Sequence, residues 1–446
     1  MLITENKLRD YTLGLLILLP TFYNISHYMF LLPVIYIIIL YPSYGIKMNL
    51  PKKTVHLALF ILILSCINYY IFGYENIHHI KDYIAYFLLY IFVFLIASKI
   101  NKNVLISIIY VIVFESVFVI VEHFLGINTV FVSDLNFRTG LLAVSDYSAR
   151  TFGLSSGINT MAMKLFIAYL LHSLIFKSKN MLFFITKALL LYAIYVNYGR
   201  SVIVAIGLLL LIEIYQNKNL RIYYISMYAL VIIHFIYING IDFFLLNTIG
   251  LVPFVKHIIM ISIEMLKQLI YAISIVYLFL SIKKLWIHSR MFIVTRIALS
   301  ISIIIIISLL SISSISSISS KYSGRNSKDI TSYRDIIYSE GIAAIKKRPL
   351  MGNNSHKYYV YLKAYNAYEH LHNSFLELMT TNGITIFLLY ILFILMHLNK
   401  FNLIAVGLII LYSFTQYGIF WGISFLDIIF IYLLVFYKKS QEESSI

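Results

Sequence analysis

The chain has 446 residues, 61% of them hydrophobic and 12% charged, with a formal net charge of +16; a soluble domain carries about 25% charged residues. That balance excludes a soluble globular enzyme and predicts a polytopic membrane protein. The apolar runs are continuous rather than alternating, which favours helices over a barrel, and the positive surplus suits anionic lipid or an anionic substrate.

Taken in order, MLITENKLRD leads into the first apolar run with no small-residue cleavage site after it, so a retained first helix is expected. Apolar runs then predict helices over 10–24, 28–44, 54–73, 82–98, 103–124, 159–176, 181–197, 201–216, 222–239, 266–282, 290–312, 384–398, 402–416 and 422–437. The expected fold is all-α, a polytopic integral membrane bundle of about 12 to 14 transmembrane helices. The first pair is short enough for a hairpin that does not fully cross, and 241–263 has room for a re-entrant helix.

Lysine and arginine concentrate in alternate short loops, which puts both termini in the cytoplasm and the one long polar stretch outside. The organisation follows: an N-terminal transmembrane bundle over 1–312, an extracytoplasmic loop over 313–383, and C-terminal helices with a short tail over 384–446. Lys164, Lys187, Lys267 and Arg296 fall near helix ends, where snorkelling to the interface is expected. Cys66 is the only cysteine, which excludes an intramolecular disulfide and a multi-cysteine metal site and leaves it a packing role.

Three outer stretches are candidates for chemistry. The loop 126–158 carries SDYSARTFGLSSGIN, in which glycine and serine backbone N–H groups can approach an anion and Arg150, with Asn159 just beyond, can clamp it. The alternative is a plain solvated loop. NYGRS, residues 197–201, places Arg200 at the outer mouth between two tightly joined helices, where it meets an anionic substrate or merely lipid headgroups.

The third stretch is the long loop. Its serine-rich start, SLLSISSISSISSKYSGRNSK, reads as a low-complexity linker. Ser332-Tyr333-Arg334-Asp335 then looks like a helix start, with Ile337, Tyr338, Gly341, Ile342 and Ile345 as an apolar face and Lys346, Lys347 and Arg348 at its end. Unpaired N–H groups and the Arg334 guanidinium at that N-terminus suit a pyrophosphate; the alternative is an amphipathic helix on anionic lipid. A second short helix starts at His372 and stops at Asn382-Gly383. It holds an imidazole at the membrane's outer face, where a group of ordinary pKa ~6.5 can accept a hydroxyl proton.

These pieces resemble the bacterial O-antigen polymerase and O-antigen ligase superfamily. RTFGLSSGIN on an outer loop, GRS at an outer helix junction, the Arg334-led helix running to RPLMGN, and HNSFLELMTTNG before the next helix agree in order, so the resemblance spans most of the chain. Asn353 departs from it, standing where a second glycine is common. The resemblance implies a GT-C-like membrane glycosyltransferase that joins undecaprenyl-diphosphate-linked repeat units at the periplasmic face of the bacterial inner membrane. It also implies roles: Arg200 and Arg334 on the diphosphate, Arg150 as a further anion contact, and His372 as base or acceptor-orienting group. Asn159, Lys347, Arg348, His370 and Asn373 are expected to bind substrate.

Polymerase is favoured over ligase, which transfers the finished polymer to lipid A-core, and a lipid-linked sugar flippase is the rival of another class. Expected partners are the lipid-linked glycan donor, a glycan acceptor, membrane lipids and a chain-length regulator protein, with no nucleic acid. The sequence contains no DxD, HExxH or GxxxxGK[ST] motif, so neither a metal, nor a nucleotide site, nor any other cofactor is expected. His78-His79 and the His370-Leu371-His372 pair are set aside as metal ligands for want of a carboxylate or cysteine beside them.

Overall fold

The computed structural model describes residues 5–23, 25, 27–40, 55–61, 63–64, 67, 90–125, 151–176, 181–197, 199–216, 225, 334–353, 358–362, 367–414, 416, 418–420 and 424–437. They fall into two compact units, one of Met1–Thr21, Ile25–Ile108 and Asn326–Ile446, the other of Phe22–Asn24 and Ile109–Arg325. The expected helices over 222–239, 266–282 and 290–312, the serine-rich stretch, Lys267, Arg296, Arg150 and His78-His79 lie outside the described residues.

The fold is helical, and three helices among the described residues are long and apolar enough to cross a membrane: Lys102–Glu122, Ile158–Ile175 and Ser374–His397. In the first unit, α1 (Glu5–Leu18) begins five residues before the apolar run that predicts it. Its polar start is held because Asp10 is buried and accepts from the side-chain amides of Asn101 and Asn103 at 2.9 and 3.0 Å. The helix passes into a tight turn at Leu19–Thr21, where Pro20 removes a backbone donor. A second helix, α2 (Leu31–Leu40), follows. The next, α3 (Lys102–Leu125), belongs to the first unit up to Ile108 and to the second from Ile109, and opens on Asn101, whose side-chain oxygen accepts from the N–H groups of Asn103 and Val104.

In the second unit, α4 (Ile158–Ile175), α5 (Met181–Asn197) and α6 (Arg200–Gln216) run up and down with short connections. Here the structure corrects the snorkelling expectation. Lys164 and Lys187 are fully buried rather than extended to an interface. The Lys164 ammonium lies 2.6 Å from the Glu115 carboxylate, and Lys187 pairs with Glu213 and donates to the Ser173 hydroxyl at 2.8 Å. An ionised side chain in an apolar interior persists when it is paired; Glu115 and Glu213, two of the acids inside apolar runs, are those partners.

The C-terminal part of the first unit holds α7 (Arg334–Lys347), α8 (Ser374–His397), α9 (Leu403–Ser413) and α10 (Phe425–Ile431). Beyond α10 the helix widens over Tyr432–Phe436, and the Asn402 amide takes up the carbonyls of Leu433 and Leu434 there. Between α7 and α8 the loop also holds a small hairpin beside the short helices expected there. Strands β1 (Tyr359–Leu362) and β2 (Ala367–His370) pair antiparallel, with Tyr361 opposite Tyr368 and Tyr359 opposite His370. Tyrosine and valine at alternating positions suit a half-buried pleat better than a helix; Val360 faces inward while Tyr359 and Tyr361 face out.

Candidate functional site

The site in the first unit is built on a small apolar cluster. Ile337 of α7, Val360 of β1, Leu371 just after β2 and Leu376 of α8 are buried together, with Tyr338, Ile345, Tyr358 and Met379 packed around them. On α7 the inward positions are Ile337, Gly341 and Ala344, a spacing of four and three. Ile342, expected on that face, is 48% exposed, and Ala344 takes the place assigned to it. A side chain on Gly341 would come within 3.0 Å of Leu371, so glycine lets the helix settle directly on the histidine segment. Arg334 opens the first turn of α7, and Lys346 and Lys347 close the last, where cations complement the helix dipole. Lys347 and Arg348 are exposed.

The turn after α7 locks onto a break in α8. Gly383, the expected stop signal, sits inside α8 at φ 79° and divides it into two helical pieces. The break frees the Thr380 carbonyl, which accepts from the Asn353 N–H at 2.8 Å and from its side-chain amide at 3.0 Å. In exchange the Ile384 N–H donates to the Pro349 carbonyl at 2.8 Å. Gly352, at φ 68°, lies against the same crossing, and a Cβ there would stand 2.5 Å from the Gly383 nitrogen. Asn353, the departure from the expected glycine, therefore works as a bracket across the turn and not as a weakness in it.

The histidines emerge from this frame. Leu371 is fully buried between them, so His370 and His372 project together, their rings 4.0 Å apart between centroids. His372 adopts φ 51°, a left-handed conformation that non-glycine residues seldom take and that clusters at functional sites. Its Nε2 lies 3.5 Å from a carboxylate oxygen of Glu369. Asn373, expected to bind substrate, caps α8: its side-chain oxygen accepts from the N–H groups of Phe375 and Leu376, both at 3.0 Å. Glu377 in that first turn is buried and accepts from the Tyr358 N–H at 2.6 Å. Burial, with the Glu340 carboxylate, pushes the Tyr358 phenol above its ordinary pKa. On the outer face of the hairpin Tyr359, Tyr361 and Tyr368 are exposed, and the last two rings pack 5.1 Å apart.

The second unit joins the two other motif pieces to each other. The Asn197 amide of NYGRS donates to the Thr151 carbonyl at 2.8 Å and to that of Ile158 at 3.4 Å, across the RTFGLSSGIN segment. Gly199 lies against Ala162 of α4, where an added Cβ would approach the alanine methyl to 3.0 Å, and Arg200 follows as the first residue of α6. The segment is not a solvated loop: Thr151, Gly153 and Ser155 are buried. Two groups imagined around an anion are already used by the protein. The Gly153 N–H donates to Glu122 at 2.8 Å and the Ser155 hydroxyl to Glu115 at 2.7 Å. Asn159 lies in the first turn of α4, half-buried.

The structure thus gathers Glu369, His370, His372 and the Asn373 cap in one place, with Arg334 and the Lys347-Arg348 pair at the two ends of α7. Asn159 and Arg200 belong to the second unit. Sequence reasoning missed Glu369, the carboxylate beside His372, although it stands next to His370; it also missed Asn197 and Glu122, single polar residues in apolar surroundings. A buried polar residue demands a partner, and that was the signal available.

A family model described as O-antigen ligase matches residues 265–391. The match runs through α7, the hairpin and most of α8. No curated protein and no solved structure matches the chain. The apolar helices and this match together point to an integral membrane protein that is similar, over residues 265–391 and so over little more than a quarter of the chain, to the O-antigen ligase family.

Proposed function

We propose that the protein is an O-antigen polymerase that joins undecaprenyl-diphosphate-linked repeat units at the outer face of the bacterial inner membrane. The observation that carries this reading is His372. It is held in a left-handed conformation at a carboxylate, beside a capped helix, inside the family match. An acceptor hydroxyl oxygen attacks the anomeric carbon of the donor sugar and the bond from that carbon to the lipid diphosphate breaks. The hydroxyl proton passes to His372, and the Glu369 carboxylate stabilises the imidazolium formed. The displacement inverts the anomeric centre in one step and needs no metal. A positioned base contributes about 10²- to 10⁴-fold.

The departing diphosphate gathers charge, and preorganised cations are worth about 10²- to 10³-fold each. Arg334, among the free N–H groups of the first turn of α7, is assigned to it, and Arg200 and Arg150 carry the same role from the sequence. Lys347 and Arg348 supply further anion contacts. The tyrosine face of the hairpin offers flat rings bearing hydroxyls, suited to stack on sugar rings and to hydrogen-bond their edges. Both termini are cytoplasmic in this reading, and a chain-length regulator is the protein partner.

The family model's description favours a second reading, transfer of finished polymer to lipid A-core. Deletion followed by lipopolysaccharide gel analysis separates them: single repeats on the core mean a lost polymerase, and bare core with accumulated lipid-linked polymer means a lost ligase. Against a flippase stands the pairing of Glu115 and Glu213 with Lys164 and Lys187, which commits the acids inside apolar runs to structure.

A further inference from the structure

We propose that Glu369, His370 and His372 form a binding site for one divalent transition-metal ion of the Zn²⁺ type, and that filling it withdraws His372 from proton transfer and stops the reaction. The second half rests on the role given to His372 above; the first does not.

The ligand set was set aside in the sequence for want of a carboxylate, although Glu369 precedes His370, and the structure brings that carboxylate to His372. One ligand atom from each of the three residues lies within 4.8 Å of the other two. The Glu369 oxygen and His372 Nε2 are 3.5 Å apart. In a tetrahedral zinc site, with bonds of ~2.0–2.2 Å, neighbouring ligand atoms stand ~3.4 Å apart. The Glu369–His372 edge is therefore already at its metal-bound length, and with every ligand atom within 4.8 Å of the others no edge has to close by more than about 1.4 Å.

Two imidazoles and one carboxylate leave a fourth position open, the arrangement zinc adopts when it keeps an exchangeable ligand. Nitrogen donors select zinc or copper over magnesium and calcium, which require oxygen. The backbone holds the ligands before any ion arrives. Leu371 is anchored in the apolar cluster between the histidines, Glu369 and His370 are in the paired strand β2, and Asn373 fixes the start of α8 directly after His372. All three ligands are half-buried, so an ion reaches them from solvent.

The test uses the full chain in detergent, stripped with a chelator and titrated with Co²⁺ or Zn²⁺ alone. One Co²⁺ per chain is expected, with the visible absorption of a tetrahedral nitrogen–oxygen site. Glu369→Gln and His370→Ala should each weaken binding at least about tenfold. Glycosyl transfer should fall as Zn²⁺ fills the site and return with EDTA, and Glu369→Gln should need about tenfold more Zn²⁺ for the same fractional inhibition of its own metal-free rate. Absence of stoichiometric binding, or binding indifferent to both substitutions, overturns the site. Binding that leaves transfer untouched overturns the claim that it withdraws His372. The Co²⁺ spectrum requires no transfer activity, so a chain that binds the metal yet never transfers a glycan refutes the proposed function and not the site.

Discussion

The backbones of Gly352 and Gly383 cross so closely that a Cβ on Gly383 would stand 2.7 Å from the Gly352 nitrogen. Both residues have positive φ, and around the crossing Asn353 and Ile384 exchange hydrogen bonds with Thr380 and Pro349. The turn after α7 is thereby fastened to the break in α8 at Gly383, ten residues beyond the Asn373 cap that follows His372. Gly352→Ala or Gly383→Ala is predicted to lose at least the about 1–3 kcal/mol of a strained backbone, with the steric clash added. Thermal unfolding in detergent measures this; an unchanged midpoint for both variants contradicts the crossing.

Asn353 spans the same turn with its side chain. Asn353→Ala is expected to cost about 1 kcal/mol, the net value of a hydrogen bond. Asn353→Gly, though it restores the residue common in the resembling family, should be no more stable than wild type. A stabilised Asn353→Gly protein would show that the amide contributes nothing there.

Asn373 separates capping from substrate contact. Asn373→Ala should lower stability by about 0.5–2 kcal/mol, while Asn373→Ser, which keeps a capping oxygen, should recover most of it. If transfer is lost in the serine variant while stability is kept, Asn373 touches the substrate as the sequence first suggested.

Lys187 and Glu213 are a buried pair. Lys187→Met alone takes the ammonium away from the buried Glu213 carboxylate and is predicted to destabilise by about 3–5 kcal/mol. Adding Glu213→Leu should return most of that loss. Additive losses in the double variant would mean the two groups act separately.

The exposed tyrosines test the sugar contact. Tyr361→Ala and Tyr368→Ala remove an outward-facing pair of tilted rings, so stability should change by less than about 0.5 kcal/mol while KM for the glycan acceptor rises and kcat holds. An unchanged KM would mean that these rings do not touch the acceptor.

Much of this was legible in the sequence because membrane helices announce themselves by length and continuity of apolar residues. The break at Gly383 and the helix led by Arg334 were also legible, since glycine after asparagine and a polar cap are local signals. The hairpin was not: its strands are four residues each, and tyrosine-rich runs next to helices carry no period long enough to separate strand from helix. The pairing of Lys164 with Glu115, 49 positions apart, was hidden for a different reason. Buried charge is readable only with its partner, and partners meet through helix packing that one residue's neighbours do not encode. Glu369 lay in plain view, but its approach to His372 depends on a left-handed turn that no pattern of residue types specifies.

Glycosyl transfer by purified His372→Ala protein supplied with an undecaprenyl-diphosphate-linked repeat unit bears most directly on the enzyme. With His372 as the base, the rate should drop about 10²- to 10⁴-fold while the unfolding midpoint stays within a few degrees of wild type. Transfer at the wild-type rate would remove the imidazole from the chemistry and, with it, the mechanism built on this segment.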